Sequence, residues 1–158
     1  MNAHRRTGGH GPDVVAPPPL LFLGPLLAGL LLDRLLPPPK LPRTARALGV
    51  PLLAAGLGLG GWFFQTMRHA GTPLDPGQAP TALVESGPFA LTRNPGYLAM
   101  TLVSGGLSLL LGARWPLLLL PGTLLVVDQG VIEREEAYLQ EHFGDRYGSY
   151  RSRVPRWL

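Results

Sequence analysis

The chain predicts an all-α integral membrane protein with about four transmembrane helices, a cytoplasmic loop and a C-terminal amphipathic helix. Three observations lead there. Only 15% of the 158 residues are charged, the mean hydropathy is +0.17, and uncharged runs rich in Leu, Ala, Gly and Pro recur at bilayer-spanning lengths, without the amphipathic period of a water-facing helix. The length fits one domain, 14–158, behind a polar, Gly-rich tail over 1–13. The net charge of +4 is scattered in short juxtamembrane groups without a basic stripe or interleaved aromatics, which argues against nucleic acid as a partner. Without cysteine there is no disulfide framework, thiol nucleophile or Cys-based metal site, and His4 and His10 stand in a polar tail without a Cys partner to complete a ligand set, so no metal is expected.

The first span runs from Val14 to Leu32, 19 uncharged residues, or close to the ~30 Å hydrocarbon thickness at about 1.5 Å per residue. Pro17, Pro18 and Pro19 stand at its start, where a missing N–H costs least, and Pro25 is expected to kink it. A stiff basic connection, Asp33 to Arg46, leads to a second span over Ala47 to Met67. There Gly56, Gly58, Gly60 and Gly61 are expected to allow close helix approach, and Trp62, Phe63 and Phe64 to form an interfacial belt near Arg68. A third helix is expected from about Pro95, since Pro suits a first helical turn. Trp115 to Val127 is only 13 apolar residues, so the helix either continues past Asp128 toward Glu133 or closes a tilted hairpin with its predecessor. Continuation is favoured. Beyond it, Ile132, Tyr138, Leu139, His142 and Phe143 recur at helical spacing, Gly144 is a plausible stop, and the Arg- and aromatic-rich remainder resembles a segment lying on headgroups.

Four spans put both termini and the segment between the second and third spans on one side of the membrane. That side carries nine basic residues and the other five, which favours a cytoplasmic location in a bacterial inner membrane.

The segment itself, TALVESGPFALTRNPGY over Thr81 to Tyr97, is polar and turn-rich between two apolar runs. Pro88 and Pro95 fix φ, and Gly87 and Gly96 open conformations closed to other residues, so one defined irregular path is expected. On the same face fall Glu133, Glu135 and Glu136, which are either solvated juxtamembrane charges or partners for Arg93 or a cationic ligand. Asp128 interrupts an apolar run and lies seven residues, two helical turns, before Glu135. A simple interfacial position and a pairing or functional role are both open to it. Arg93, Asp128 and Glu135 are the candidates for catalysis.

LVESGPFALTRNPGYL, followed after two apolar segments by EREEAYLQEHFGDRYGSYRSRVPRWL, resembles the isoprenylcysteine carboxyl methyltransferase family and its phospholipid methyltransferase relatives, in the style of the small bacterial members. The shared order is G-P-[FY], R-[HN]-P-x-Y, paired Glu, F-G-x-x-Y-x-x-Y and V-P-R, covering about Leu83 to the C-terminus. The resemblance implies a membrane enzyme that binds S-adenosyl-L-methionine in a pocket made by about 81–158 and methylates a lipophilic acceptor from the bilayer. Carboxyl O-methylation is the first expectation. Lipid amine N-methylation, a nicotinamide-dependent membrane reductase and a non-catalytic scaffold are the alternatives. Carried over by position, the cofactor contacts would be Thr81, Ala82, Leu83 and Val84, then Phe89, then Asn94, Pro95, Gly96 and Tyr97, and finally Glu135. Two departures bear on the chemistry. Asn94 stands where many members carry His, and an amide cannot move a proton. Val131 stands where the prenylcysteine enzymes carry a basic residue for the substrate carboxylate.

Overall fold

The structure, a computed structural model, describes residues 16–39, 41–73 and 80–158. The tail over 1–13, Val14, Val15, Lys40 and the stretch 74–79 lie outside the described residues. Among the described residues every regular element is helical: α1 (Pro18–Leu35), α2 (Arg43–Ala47), α3 (Gly49–His69), a 3-10 turn (Gly87–Ala90), α4 (Pro95–Leu111), α5 (Arg114–Val127), a π turn (Asp128–Ile132), α6 (Glu133–Phe143) and α7 (Asp145–Arg153).

Among the described residues three stretches are long and apolar enough to cross a membrane: α1 with 18 residues, Arg43–His69 with 27 and Arg114–Phe143 with 30. The fourth apolar helix, α4, has 17 residues. Leu27, Leu31, Leu57, Leu118 and Leu125 are each more than half exposed. Such a leucine surface is stable against acyl chains and too extensive for a water-soluble monomer. This is a membrane protein.

The helix ends follow local chemistry. Pro95 occupies the first turn of α4, and Gly112 ends it in the left-handed region at φ 71°. Continuation of α5 into α6 is what occurs, through the π turn. α1 passes through Pro25 without a break and extends to Leu35, taking Asp33 and Arg34 into its last turn. Asp33 has a partner there: its Oδ1 accepts from the backbone N–H groups of Arg114 and Trp115, both at 3.3 Å, satisfying open donors at the start of α5.

α4 packs chiefly against α3, and α5 against α1. A Cβ at Gly56 would meet Val103 N at 2.7 Å, and one at Gly106 would meet Leu53 N at 2.5 Å, so α3 and α4 meet backbone to backbone. The same holds for Gly29 against Pro116 N at 2.5 Å. The expected glycine face is therefore narrower than the sequence suggests. Gly56 belongs to it, whereas Gly58 and Gly61 face open space and Gly60 meets only Ala99 Cβ at 3.6 Å. The aromatic belt divides as well. Trp62 and Phe64 are exposed, with Arg68 5.6 Å above the Phe64 ring, while Phe63 turns inward to Phe89 at 5.7 Å.

α7 departs from the headgroup-lying expectation. Tyr147 and Tyr150 are buried against Leu83, with Phe89, Leu139 and Phe143 around them, so its aromatic face covers the central loop. Three-residue spacing puts both rings on one side of a helix, and the loop offers them an apolar partner.

Candidate active site

The loop from Thr81 to Tyr97 is laid on α3. Gly87 opens the 3-10 turn at φ 62°, and a Cβ there would meet Thr66 Oγ1 at 2.7 Å. Only glycine meets both conditions without strain. At Gly96 the Phe63 ring comes within 3.2 Å of where a Cβ would be.

α7 closes over the loop from the other side. The Tyr150 hydroxyl donates to the Phe89 carbonyl at 2.8 Å. Glu85 accepts from Arg146 Nε and Arg153 Nη2, both at 3.0 Å. Both arginines are about two-thirds exposed, so these pairs orient the loop more than they stabilise it. Burial pushes the Tyr150 phenol above its ordinary pKa; burial and then the Glu136 carboxylate do the same to Tyr147, against an opposing pull from Arg93. Both phenols stay protonated, Tyr150 as the donor to Phe89 and Tyr147 as an acceptor from Arg93 Nη1 at 3.5 Å.

The C-terminal tail holds the loop's inner end. Arg93 N–H donates to the Pro155 carbonyl at 2.9 Å, and Thr92 Oγ1 and Asn94 Nδ2 donate to the Arg156 carbonyl at 2.8 and 2.9 Å. Arg156 Nε and Nη2 reach the two Glu136 oxygens at 3.1 and 2.8 Å, and its Nη1 reaches Asp128 Oδ2 at 3.0 Å. Those Glu136 bonds, ahead of the other carboxylates, raise the guanidinium's pKa. Glu136 also takes Arg93 Nη1 at 2.8 Å, and both side chains are about nine-tenths buried. A carboxylate at that depth is tolerable because two guanidinium groups meet it.

Between loop, helices and tail lies a cavity of about 380 Å³. Ala82, Leu83, Val84 and Phe89 line it from the loop's first half, and Arg93, Asn94, Pro95, Gly96 and Tyr97 from its second. Glu135 joins them from α6, accepting a hydrogen bond from the Tyr97 hydroxyl at Oε1 across 2.7 Å. Among the described residues no cation lies within ion-pair distance of Glu135. An acid with a donor but no counter-cation at a cavity wall suits a positively charged or hydroxylic ligand. Phe63, Met67 and Met100 add apolar wall from α3 and α4, and Pro18 and Pro19 add it from α1.

Two candidate residues lie elsewhere. Thr81 is exposed and turned to the end of α3, its N–H on Thr72 Oγ1 at 3.2 Å and its hydroxyl on the Gly71 carbonyl at 3.1 Å. Asp128 does not share a face with Glu135. The π turn adds a residue to that stretch of helix, so Glu136, eight residues on, shares Arg156 with Asp128, and Glu135 turns to the cavity. Asn94 lines the cavity with its Nδ2 committed to the tail. Sequence reasoning missed Phe63, Met67 and the tyrosine pair as cavity wall. Only the tyrosines carried a signal, in their three-residue spacing.

Residues 44–146 match the phospholipid methyltransferase family. An uncharacterized protein of Haemophilus influenzae is 40% identical over 62 residues, which are 39% of this chain and 98% of that protein. The protein-S-isoprenylcysteine O-methyltransferase of Schizosaccharomyces pombe is 38% identical over 73 residues, 46% of this chain but only 31% of the yeast enzyme's length. No solved structure matches this chain. With a match across about two-thirds of its residues, and with loop, paired acids and apolar helices built around one cavity, the chain belongs to the phospholipid methyltransferase family of membrane methyltransferases.

Proposed function

We propose that the protein transfers a methyl group from S-adenosyl-L-methionine to a lipophilic acceptor that arrives from the bilayer. The observation that carries this reading is one cavity in which the Pro-fixed loop and Glu135 meet, its wall completed by the apolar residues Pro19, Phe64 and Met67 on helices that face lipid. Pro19 and Phe64 are also exposed on the outer surface, which supports access from the membrane.

The residues present fit the donor. The cavity's volume, about 380 Å³, is within the range of small-molecule sites. Phe89 and Tyr97 supply aromatic faces for adenine or a cationic centre, and the Glu135 carboxylate, which meets no cation among the described residues, suits a ribose hydroxyl, an ammonium or the field of a sulfonium. When bound, the donor supplies a methyl group already activated by the charged sulfur. The chain's part is to hold donor and acceptor in line and keep water out.

The yeast relative's name makes a carboxyl group one acceptor. The charges around the cavity favour a lipid amine instead. Arg93, the cation in the wall among the described residues, gives its Nη1 to Glu136, and Val131 is fully buried in an apolar cluster with Phe22, Tyr97, Val127 and Ile132. A carboxylate acceptor would thus compete with Glu136 for that guanidinium, whose Nε is the donor left without a hydrogen-bond partner among the described residues. An amine must lose a proton before it can attack, and Glu135 is the cavity carboxylate able to accept one. Nine of the 14 basic residues fall on the cavity's side of the membrane by span counting, which supports a cytoplasmic site in a bacterial inner membrane.

The reductase alternative needs arginines open to a cofactor phosphate. Arg93, Arg146, Arg153 and Arg156 do gather around the loop, but each is bound to Glu85 or Glu136. Calorimetry of detergent-purified protein with S-adenosylmethionine, S-adenosylhomocysteine and NADPH tests the donor, with binding to the first two expected. Transfer of labelled methyl into extracted lipid then identifies the acceptor. Binding of NADPH alone would overturn the reading, and absence of all three would favour a scaffold.

A further inference from the structure

Arg156 ties together two parts of the cavity wall that are separate in the sequence, the loop end at Thr92–Asn94 and the start of α6. Its carbonyl, with that of Pro155, accepts from Thr92, Arg93 and Asn94, so three successive loop residues rest on the tail. Its guanidinium points the other way, with two bonds to Glu136, one to Asp128 Oδ2 and Glu133 Oε1 at 3.8 Å. Trp157 Nε1 adds a bond to Asp128 Oδ1 at 3.3 Å. The cavity pair sits next to these anchors: Glu135 adjoins Glu136, and Tyr97 lies one helical turn after Asn94.

We propose that Arg156 is a positioning residue for the site, fixing α6 relative to the start of α4 so that Glu135 meets Tyr97 inside the cavity. It does not line the cavity itself. The geometry suits Arg alone, because a planar fork fixes direction as well as distance on a carboxylate, which a Lys ammonium does not. Asp128 thereby serves the guanidinium instead of the chemistry. The proposal extends the donor-binding reading above, although the Glu135–Tyr97 register it explains is independent of the ligand.

Removing the guanidinium need not unfold the chain, since Glu136 keeps Arg93 at 2.8 Å. The Arg156 side chain is 27% exposed, within reach of a small cation added to the solution. The test compares wild type, Arg156→Ala, Arg156→Lys and Asp128→Asn as full-length protein in detergent. It reads S-adenosylhomocysteine affinity, amide hydrogen exchange over Thr92–Leu98 and helical circular dichroism. Arg156→Ala is expected to weaken binding by roughly tenfold or more and to speed exchange across Thr92–Leu98, with helicity unchanged. Methylguanidinium should restore both and methylammonium neither, and Arg156→Lys should fall between. Unchanged exchange in Arg156→Ala, or equal rescue by methylammonium, would overturn the proposal. If Arg156→Ala fails to fold, Asp128→Asn decides: milder loosening over Thr92–Leu98 is expected, and none would sink the idea. Should wild type bind no S-adenosylhomocysteine, the donor reading fails, and exchange with its guanidinium rescue still decides the role of Arg156.

Discussion

The Tyr97 hydroxyl donates a hydrogen bond to Glu135 Oε1 across 2.7 Å, joining the first turn of α4 to the first turn of α6 at the cavity wall. Tyr97 is buried and Glu135 has no cation partner among the described residues, so the bond is the carboxylate's main support there. Tyr97→Phe should cost about 1.5–3 kcal/mol of stability or ligand affinity, the range for a hydrogen bond to a charged group. Glu135→Gln keeps the shape and loses the charge. It should abolish methyl transfer to an amine while leaving helicity intact; turnover by Glu135→Gln at the wild-type rate would remove Glu135 from the mechanism.

Burial separates the two clusters of ion pairs. Glu136→Ala leaves Arg93 and Arg156 facing each other without their shared acid, and breaking such a buried pair costs about 3–5 kcal/mol. Glu85→Ala removes two exposed pairs and should cost no more than about 1 kcal/mol. Thermal unfolding in one detergent compares the two. Equal losses would mean that depth does not govern these bridges.

The α3–α4 contact is tested at glycines that read alike. Gly56→Ala puts a Cβ 2.7 Å from Val103 N and should destabilise by about 1–3 kcal/mol. Gly58→Ala meets nothing within 4 Å and should be neutral or stabilise by up to about 1 kcal/mol through helix propensity. The difference in melting temperature between the two variants measures the helix contact directly.

Tyr147 and Tyr150 make the cover over the loop sensitive to alkali. Both phenols are raised above the ordinary 10.0. Above about pH 10 the unfolded chain releases these protons while the fold retains them, so stability is intact below that pH and falls as pH rises beyond it. Unfolding measured between pH 8 and about 12 should show the decline, and Tyr150→Phe should flatten it. Stability rising with pH in that window would contradict the buried-phenol picture.

Much of the architecture was legible because it depends on local quantities. The start of α4 at Pro95, the stop at Gly144 and the continuation past Asp128 follow from helix-end chemistry and from an apolar run too short to cross alone. The positions of Asp128 and of the glycines were not legible, since both rest on rotation about a helix axis. Seven residues make two turns only in an uninterrupted α-helix, and the π turn at Asp128–Ile132 changes that phase. Gly56 and Gly58 look equivalent in sequence and point to different surroundings.

Run length against bilayer thickness and the backbone limits of Pro and Gly are properties of short stretches, so a helical membrane protein with a defined polar loop could be read from the residues alone. Only the tertiary structure decided that Glu135 meets Tyr97 at a cavity, that Asp128 and Glu136 share Arg156, and that the last residues of the chain support the loop. Each of those depends on which side chains face each other across elements distant in sequence. A helix turns by about 100° per residue, so one added residue is enough to exchange a cavity-facing acid for a buried ion pair.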